Sequence, residues 1–243
     1  MLRRVASAVL IAALAVLAPA AGVAAAPTLT PVVPTGPVTF VGIGGLRWSD
    51  ITPAATPVLW QLAEHSALGA MAVRTTEADT CPVDGWLTLN SGARSAGPRE
   101  HGHCAAVPIP TVTDDRTTVP GWDALIAPNA HHSYDPVWGT LAEHAQLPGR
   151  PAAKLCGVGP GAALALALAD GTVPGLWAPT MPGLGEYPDC ALLVVDGGAL
   201  PEGPDRGAAL TAADAALREF VDAPAPLLVA GIADSTPGHP HLT

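Results

Sequence analysis

Lysine is nearly missing from this chain. Lys154 is the only one, and 11 basic residues face 21 acidic ones for a net charge of −10. Such a balance argues against nucleic acid and anionic membrane surfaces as partners, because both are bound through clustered cations. There is no Cys-x-x-Cys spacing, which leaves a cysteine-based zinc site the weaker reading of the four cysteines. There is no G-x-S-x-G elbow either, so any Ser-His-Asp triad drawn from these residues carries no weight. After the first 26 residues no apolar run reaches membrane length; Gly159–Ala169 comes nearest and falls far short.

What is present begins with an export signal. Arg3 and Arg4 form a basic start, residues 5–20 form an alanine- and leucine-rich run broken by Pro19, and Val23-Ala24-Ala25-Ala26 supplies small residues for cleavage. Residues 1–25 therefore read as a secretory signal peptide. Its loss takes the basic residues from 11 to 9 against 21 acidic ones, a net charge of −12. An uncleaved signal would instead anchor the chain, and the membrane would then become a partner. Residues 26–37 carry Pro27, Pro31, Pro34 and Pro37 and read as an extended linker. The rest, 38–243, suits one domain with a real core.

Four cysteines in an exported chain point to two disulfides. Three pairings exist. The sequence-local one, Cys81–Cys104 with Cys156–Cys190, is expected because each bridge then staples one long loop.

Apolar runs of strand length alternate with helical patterns. Strands are expected at Val38–Ile43, Met71–Arg74, Ala152–Val158, Ala191–Val195 and Pro226–Ile232. A helix is expected from Pro57, N-capped by Thr56 and closed by Gly69, with Leu59, Leu62 and Ala63 inward. Others are expected over Asp84–Asn90, from Pro136 with Trp138, Leu141, Ala142 and Ala145 inward and ended by Pro148-Gly149, over Pro160–Ala169 and over Ala208–Val221. Residues 105–121 read as irregular surface. This alternation indicates βαβ units: an α/β fold with a mostly parallel central sheet and helices on both faces. Trp48, Trp60 and Trp86 are expected to anchor the core.

The carboxyl end of a parallel strand faces the ligand crevice in such folds. At the end of the first strand this chain places Gly44 and Gly45, whose backbone N–H groups a small anionic or sugar-like ligand could approach closely. Asp196 and Asp234 follow two other strands and read either as loop-forming caps or as ligands. His101 and His103 read as surface loop residues, and His131-His132 and His239/His241 show no carboxylates at ligand spacing.

The order of these pieces resembles the alkaline phosphatase superfamily, in particular its phosphodiesterase- and phosphoglycerate-mutase-like members. The resemblance runs from Val38–Trp48 and Thr56-Pro57-Val58-Leu59-Trp60-Gln61-Leu62-Ala63 through Thr88-Leu89-Asn90-Ser91-Gly92 and Pro98-Arg99-Glu100-His101-Gly102. It continues with Asp196 to Pro204 and ends at Ala233-Asp234-Ser235. It implies an alkaline-phosphatase-like α/β domain over 38–243, incomplete at its C-terminus if the chain is a fragment of a longer membrane protein. In such enzymes Asp and His hold two divalent metals that activate a Ser or Thr nucleophile.

Here the motifs are depleted. Gly44 stands at the first metal Asp, Leu200 and Ser235 at two metal His positions, and only Asp196 and Asp234 remain of those ligands. Thr80 is the only nucleophile candidate if Cys81 is bridged. Cys81-Pro82-Val83-Asp84-Gly85 lacks the C-x-P-x-R arrangement of sulfatases. The expectation is an exported, catalytically inactive phosphatase-like domain that serves as a binding or scaffolding module for an envelope component. It would use no cofactor, or one loosely held oxygen-ligated divalent ion on Asp196 and Asp234. The alternatives are an active metal-dependent phosphate or sulfate ester hydrolase, and the extracytoplasmic part of a larger membrane protein.

Overall fold

The computed structural model describes residues 37–145, 154–180, 190–223 and 225–234. All of them belong to one compact unit, Pro34–Thr243. The expected signal peptide and linker, Pro148-Gly149, and Ser235, His239 and His241 lie outside the described residues.

Five parallel strands form the central sheet: β1 (Val38–Gly44), β2 (Lys154–Val158), β3 (Leu176–Ala178), β4 (Cys190–Ala199) and β5 (Leu227–Ala233). Their order across the sheet is β5-β1-β4-β2-β3. Among the described residues six α-helices accompany them: α1 (Pro57–His65), α2 (Pro82–Ser91), α3 (Trp122–Ile126), α4 (Thr140–Ala145), α5 (Pro160–Leu166) and α6 (Arg206–Val221). The alternation of β4 shows why both faces are covered. Val194 packs with Trp86, Leu87 and Leu164 of α2 and α5. Its neighbours Leu193 and Val195 pack with Leu59, Leu217 and Phe220 of α1 and α6. Leu87, Leu164 and Leu166 are fully buried, and each contributes roughly 1.5–3 kcal/mol by leaving water.

Two glycines let α2 approach its neighbours, Gly42 on β1 and Gly161 on α5. Trp86 is 1% exposed, and a Cβ on Gly42 or Gly161 would lie 2.5 Å or 2.0 Å from its indole. The disulfides are Cys81–Cys104 and Cys156–Cys190, with Cα separations of 5.4 and 5.8 Å. They match the sequence-local pairing and fit an extracytoplasmic protein. Among the described residues no helix is long and apolar enough to cross a membrane.

Several local expectations are corrected. Helix α1 ends at His65 rather than near Gly69: Ser66 is extended (φ −119°, ψ 167°), and residues 66–69 line a groove beside β5 instead. Met71–Arg74 forms no strand, because no sheet edge pairs with it. Residues 105–121 include a hairpin, Thr111–Thr113 with Arg116–Thr118; Asp114 and Asp115, at φ 50° and 61°, make the tight turn that lets these threonine-rich segments pair. The helix expected from Pro136 starts only at Thr140, after Asp135 has turned left-handed at φ 43°. Helix α5 stops at Leu166, where the Asn90 amide takes the carbonyls of Leu164, Ala165 and Ala167. Trp86 is a core anchor, whereas Trp48 and Trp60 are 45% and 37% exposed.

Candidate functional site

Because β5, β1 and β4 are parallel neighbours, their carboxyl ends share one edge of the sheet. Gly44 pairs with Ala199 on one side and Ala233 on the other, which places Gly44, Asp196 and Asp234 along that edge. Strand β4 reaches it through a bulge. Gly42 pairs with Asp196 and Gly44 with Ala199, so β4 spends three steps where β1 spends two. Gly198, at φ 81°, absorbs the extra residue.

Position 44 is crowded on the β4 side. A Cβ there would lie 3.2 Å from the Ala199 methyl and 3.6 Å from that of Ala233. Gly45 is also engaged, which takes its N–H from the donors expected to face a ligand. Gly45 N–H donates to Ala233 O at 2.8 Å, and Gly44 O accepts from Leu200 N–H at 2.8 Å. Leu200 is thus an inward apolar residue at the turn, 3% exposed.

Asp196 holds two backbone N–H groups, Gly161 at 2.7 Å and Gly198 at 2.9 Å. The first lies in the opening turn of α5, so Asp196 caps that helix from a neighbouring strand. Burial pushes its carboxyl above the ordinary range, and the two N–H bonds oppose that rise. Asp234 Oδ2 accepts the Thr80 N–H at 2.8 Å. Thr80 itself is 2% exposed, and its hydroxyl donates to Val73 O at 3.3 Å.

The segment after Thr80 is pinned by two residues to which the sequence motifs gave no role, Asp84 and Arg99. Asp84 is fully buried. It accepts from Cys81 N–H, Gly97 N–H and both terminal nitrogens of Arg99. That carboxylate raises the pKa of Arg99 through its hydrogen bond, against the opposing effect of burial. The Cys81-x-x-Asp84 spacing was a readable capping-box signal; the Arg99 partner was not. Asp214 does the same for α1, accepting from Val58 and Leu59 N–H at 3.2 and 2.8 Å. Thr56, the expected cap, turns its hydroxyl to Asp50 O instead.

Asp84, Asp196, Asp214 and Asp234 thus serve backbone donors at or beside helix starts. Among the described residues no group of three or more His, Cys, Asp or Glu gathers at metal-binding distance. His101 and His103 sit exposed on the hairpin that carries Cys104. A cavity of about 340 Å³ opens beside β5 rather than over Asp196; apart from Arg47 and Ser66 its lining is apolar.

A second constellation lies beside the Gly44-Gly45 turn. Arg206, the first residue of α6, grips Asp50 through Nε and one terminal nitrogen at 3.3 and 2.5 Å, and Gly45 O at 2.7 Å. Asp50 also accepts Arg47 N–H at 2.8 Å. Arg47 and Arg206 both reach the same carboxylate oxygen of Glu202.

Comparison with family models, curated proteins and solved structures finds no match for this chain.

Proposed function

We propose that this chain is an exported, phosphatase-like domain that does not hydrolyse phosphate esters and acts as a binding or scaffolding module at the cell envelope. One observation carries the reading: Thr80, Asp196 and Asp234 each bond the backbone at the candidate site. The Thr80 hydroxyl is buried on a backbone carbonyl. Asp196 holds two backbone N–H groups and Asp234 one, and the Ala199 methyl crowds position 44. A two-metal site needs ions about 3.5–4 Å apart, each with an open position for the reacting oxygens. Two separately engaged carboxylates do not supply it.

Metal content is the test. The mature domain is incubated with Zn²⁺, Mn²⁺, Mg²⁺ or Ca²⁺, desalted and analysed for retained metal. The reading expects none, or one weakly held oxygen-ligated ion lost on desalting. Two retained equivalents of Zn²⁺ or Mn²⁺, reduced by Asp196→Ala, would overturn it.

A further inference from the structure

Strand β5 stands at one edge of the sheet. It pairs with β1 on one side, and among the described residues no strand pairs with the other. The opposite edge, β3, is only three residues long, and shortness protects an edge from pairing. Strand β5 has seven residues, Leu-Leu-Val-Ala-Gly-Ile-Ala. It lacks the charges and prolines that usually block an edge. One bond fixes the direction of its backbone. Thr39 N–H donates to Pro226 O at 2.9 Å, so Pro226 turns its backbone to β1, and successive residues of a strand alternate sides. Leu228, Ala230 and Ile232 therefore bond β1, while the N–H and C=O groups of Leu227, Val229 and Gly231 point outward.

The cavity of about 340 Å³ lies against that outer side. It is lined by Leu227 to Gly231 without a break. Side chains alternate between the two faces of a sheet, so a cavity that touches five successive residues opens along the strand's edge rather than over one face. Large apolar side chains stand exposed around it: Leu228 at 50%, Leu68 at 58%, Met71 at 52% and Trp48 at 45%. A contiguous apolar patch of this kind marks a binding surface.

We infer that the outer edge of β5 docks an extended peptide segment of another protein, with apolar side chains at alternate positions and basic residues flanking them. The segment adds to the sheet as a sixth strand. The edge bonds come from residues other than Thr80, Asp196 and Asp234, so the inference goes beyond the non-hydrolytic reading and does not depend on it. Backbone chemistry selects a peptide over a hydrocarbon ligand. An acyl chain would take water from the outward groups of Leu227, Val229 and Gly231 and return no bond; a peptide backbone replaces those bonds. Charge selects the flanks. The chain carries −10 as a whole and −12 without residues 1–25, a field that attracts a basic segment and repels a second copy of this chain. Arg47 is the only charged residue among the described ones lining the cavity, and its charge is met by Glu202.

Fluorescence anisotropy with a labelled synthetic peptide tests this. The peptide alternates valine and threonine between lysines at both ends, and the mature domain is titrated into it at fixed low ionic strength. Saturable binding is expected. Glutamates in place of the lysines should weaken it about ten-fold, and a fully N-methylated peptide, which cannot pair, should not bind. Leu228→Lys sets a like charge at an exposed edge position and should weaken the lysine-flanked peptide about ten-fold. Val229→Pro removes an outward N–H without touching a bond to β1 and should do the same. Amide exchange gives a second readout: the Val229 and Gly231 N–H groups exchange fast in the peptide-free protein and slowly in the complex. No saturable binding, or binding indifferent to N-methylation and to both substitutions, overturns the proposal. Slow exchange at Val229 and Gly231 without peptide also overturns it, by placing another part of this chain on the edge. So does concentration-dependent dimerisation abolished by Leu228→Lys, which assigns the edge to a second copy.

Discussion

Asp234 and Thr80 hold each other twice. The Asp234 N–H donates to Thr80 O at 2.9 Å, and the Thr80 N–H donates to Asp234 Oδ2 at 2.8 Å. These are the two positions at which the sequence resemblance leads us to expect a metal ligand and a nucleophile. Here they form a backbone latch between the end of β5 and the start of α2. Asp234→Ala strands the Thr80 N–H at a buried position and is expected to cost about 1–3 kcal/mol. Denaturant unfolding of the purified variant measures it; an unchanged midpoint would rule the latch out.

Asp84 and Arg99 fix the same segment from the other side. Asp84→Ala leaves two backbone donors and a guanidinium without their shared carboxylate, so a loss of about 3–5 kcal/mol is expected. Arg99→Ala should cost less. Its side chain is 21% exposed, and Asp84 would keep the Cys81 and Gly97 N–H bonds. Chemical denaturation of the two variants side by side gives the order, and an Arg99 variant as damaged as the Asp84 one would contradict it.

Reduction should weaken the fold at two separable places. Cys156–Cys190 ties the neighbouring strands β2 and β4, while Cys81–Cys104 ties the start of α2 to a short hairpin. Replacing either pair with alanine should cost about 2–5 kcal/mol. Non-reducing peptide mapping checks the pairing itself: a Cys104–Cys156 link or four free thiols would refute it.

Asp196 makes the stability depend on pH in a definite direction. Burial raises its folded pKa above the unfolded value, so the folded state holds its proton more tightly. Its contribution is fully present below the unfolded carboxylate pKa of about 3.9. It is lost as pH rises through the higher folded pKa. Asp196→Asn removes that titration, so the wild type should lose stability relative to the variant between acid and neutral pH. Paired unfolding curves at several pH values measure this, and a difference that grows in the wild type's favour toward neutrality contradicts it.

The sheet was legible because its strands are short apolar runs bounded by turn residues: Val38–Ile43 and Ala191–Val195 are buried or half-buried, and their length marks them as strands. The disulfides were legible because each closes a local loop. Helix ends were not. Asp214 caps α1 from 156 residues away, displacing Thr56, and Asn90 ends α5 from another helix. Such long-range bonds leave no local signature. The same limit hid the candidate site's chemistry. Gly44 marked a depleted position, but only the bulge in β4 brings Ala199 against it. Arg47 and Arg206, 159 positions apart in sequence, become neighbours only when β1 and α6 reach the same edge.

Phosphate ester hydrolysis tests the central claim most directly. The mature domain is assayed against phosphate mono- and diesters with Zn²⁺, Mn²⁺ or Mg²⁺, beside Thr80→Ala and Asp196→Ala. The account predicts background rates throughout, with no difference between wild type and variants, because the Thr80 hydroxyl is buried and Asp196 is engaged on backbone N–H groups. A metal-dependent rate in the wild type, abolished by either substitution, would contradict it and restore the hydrolase.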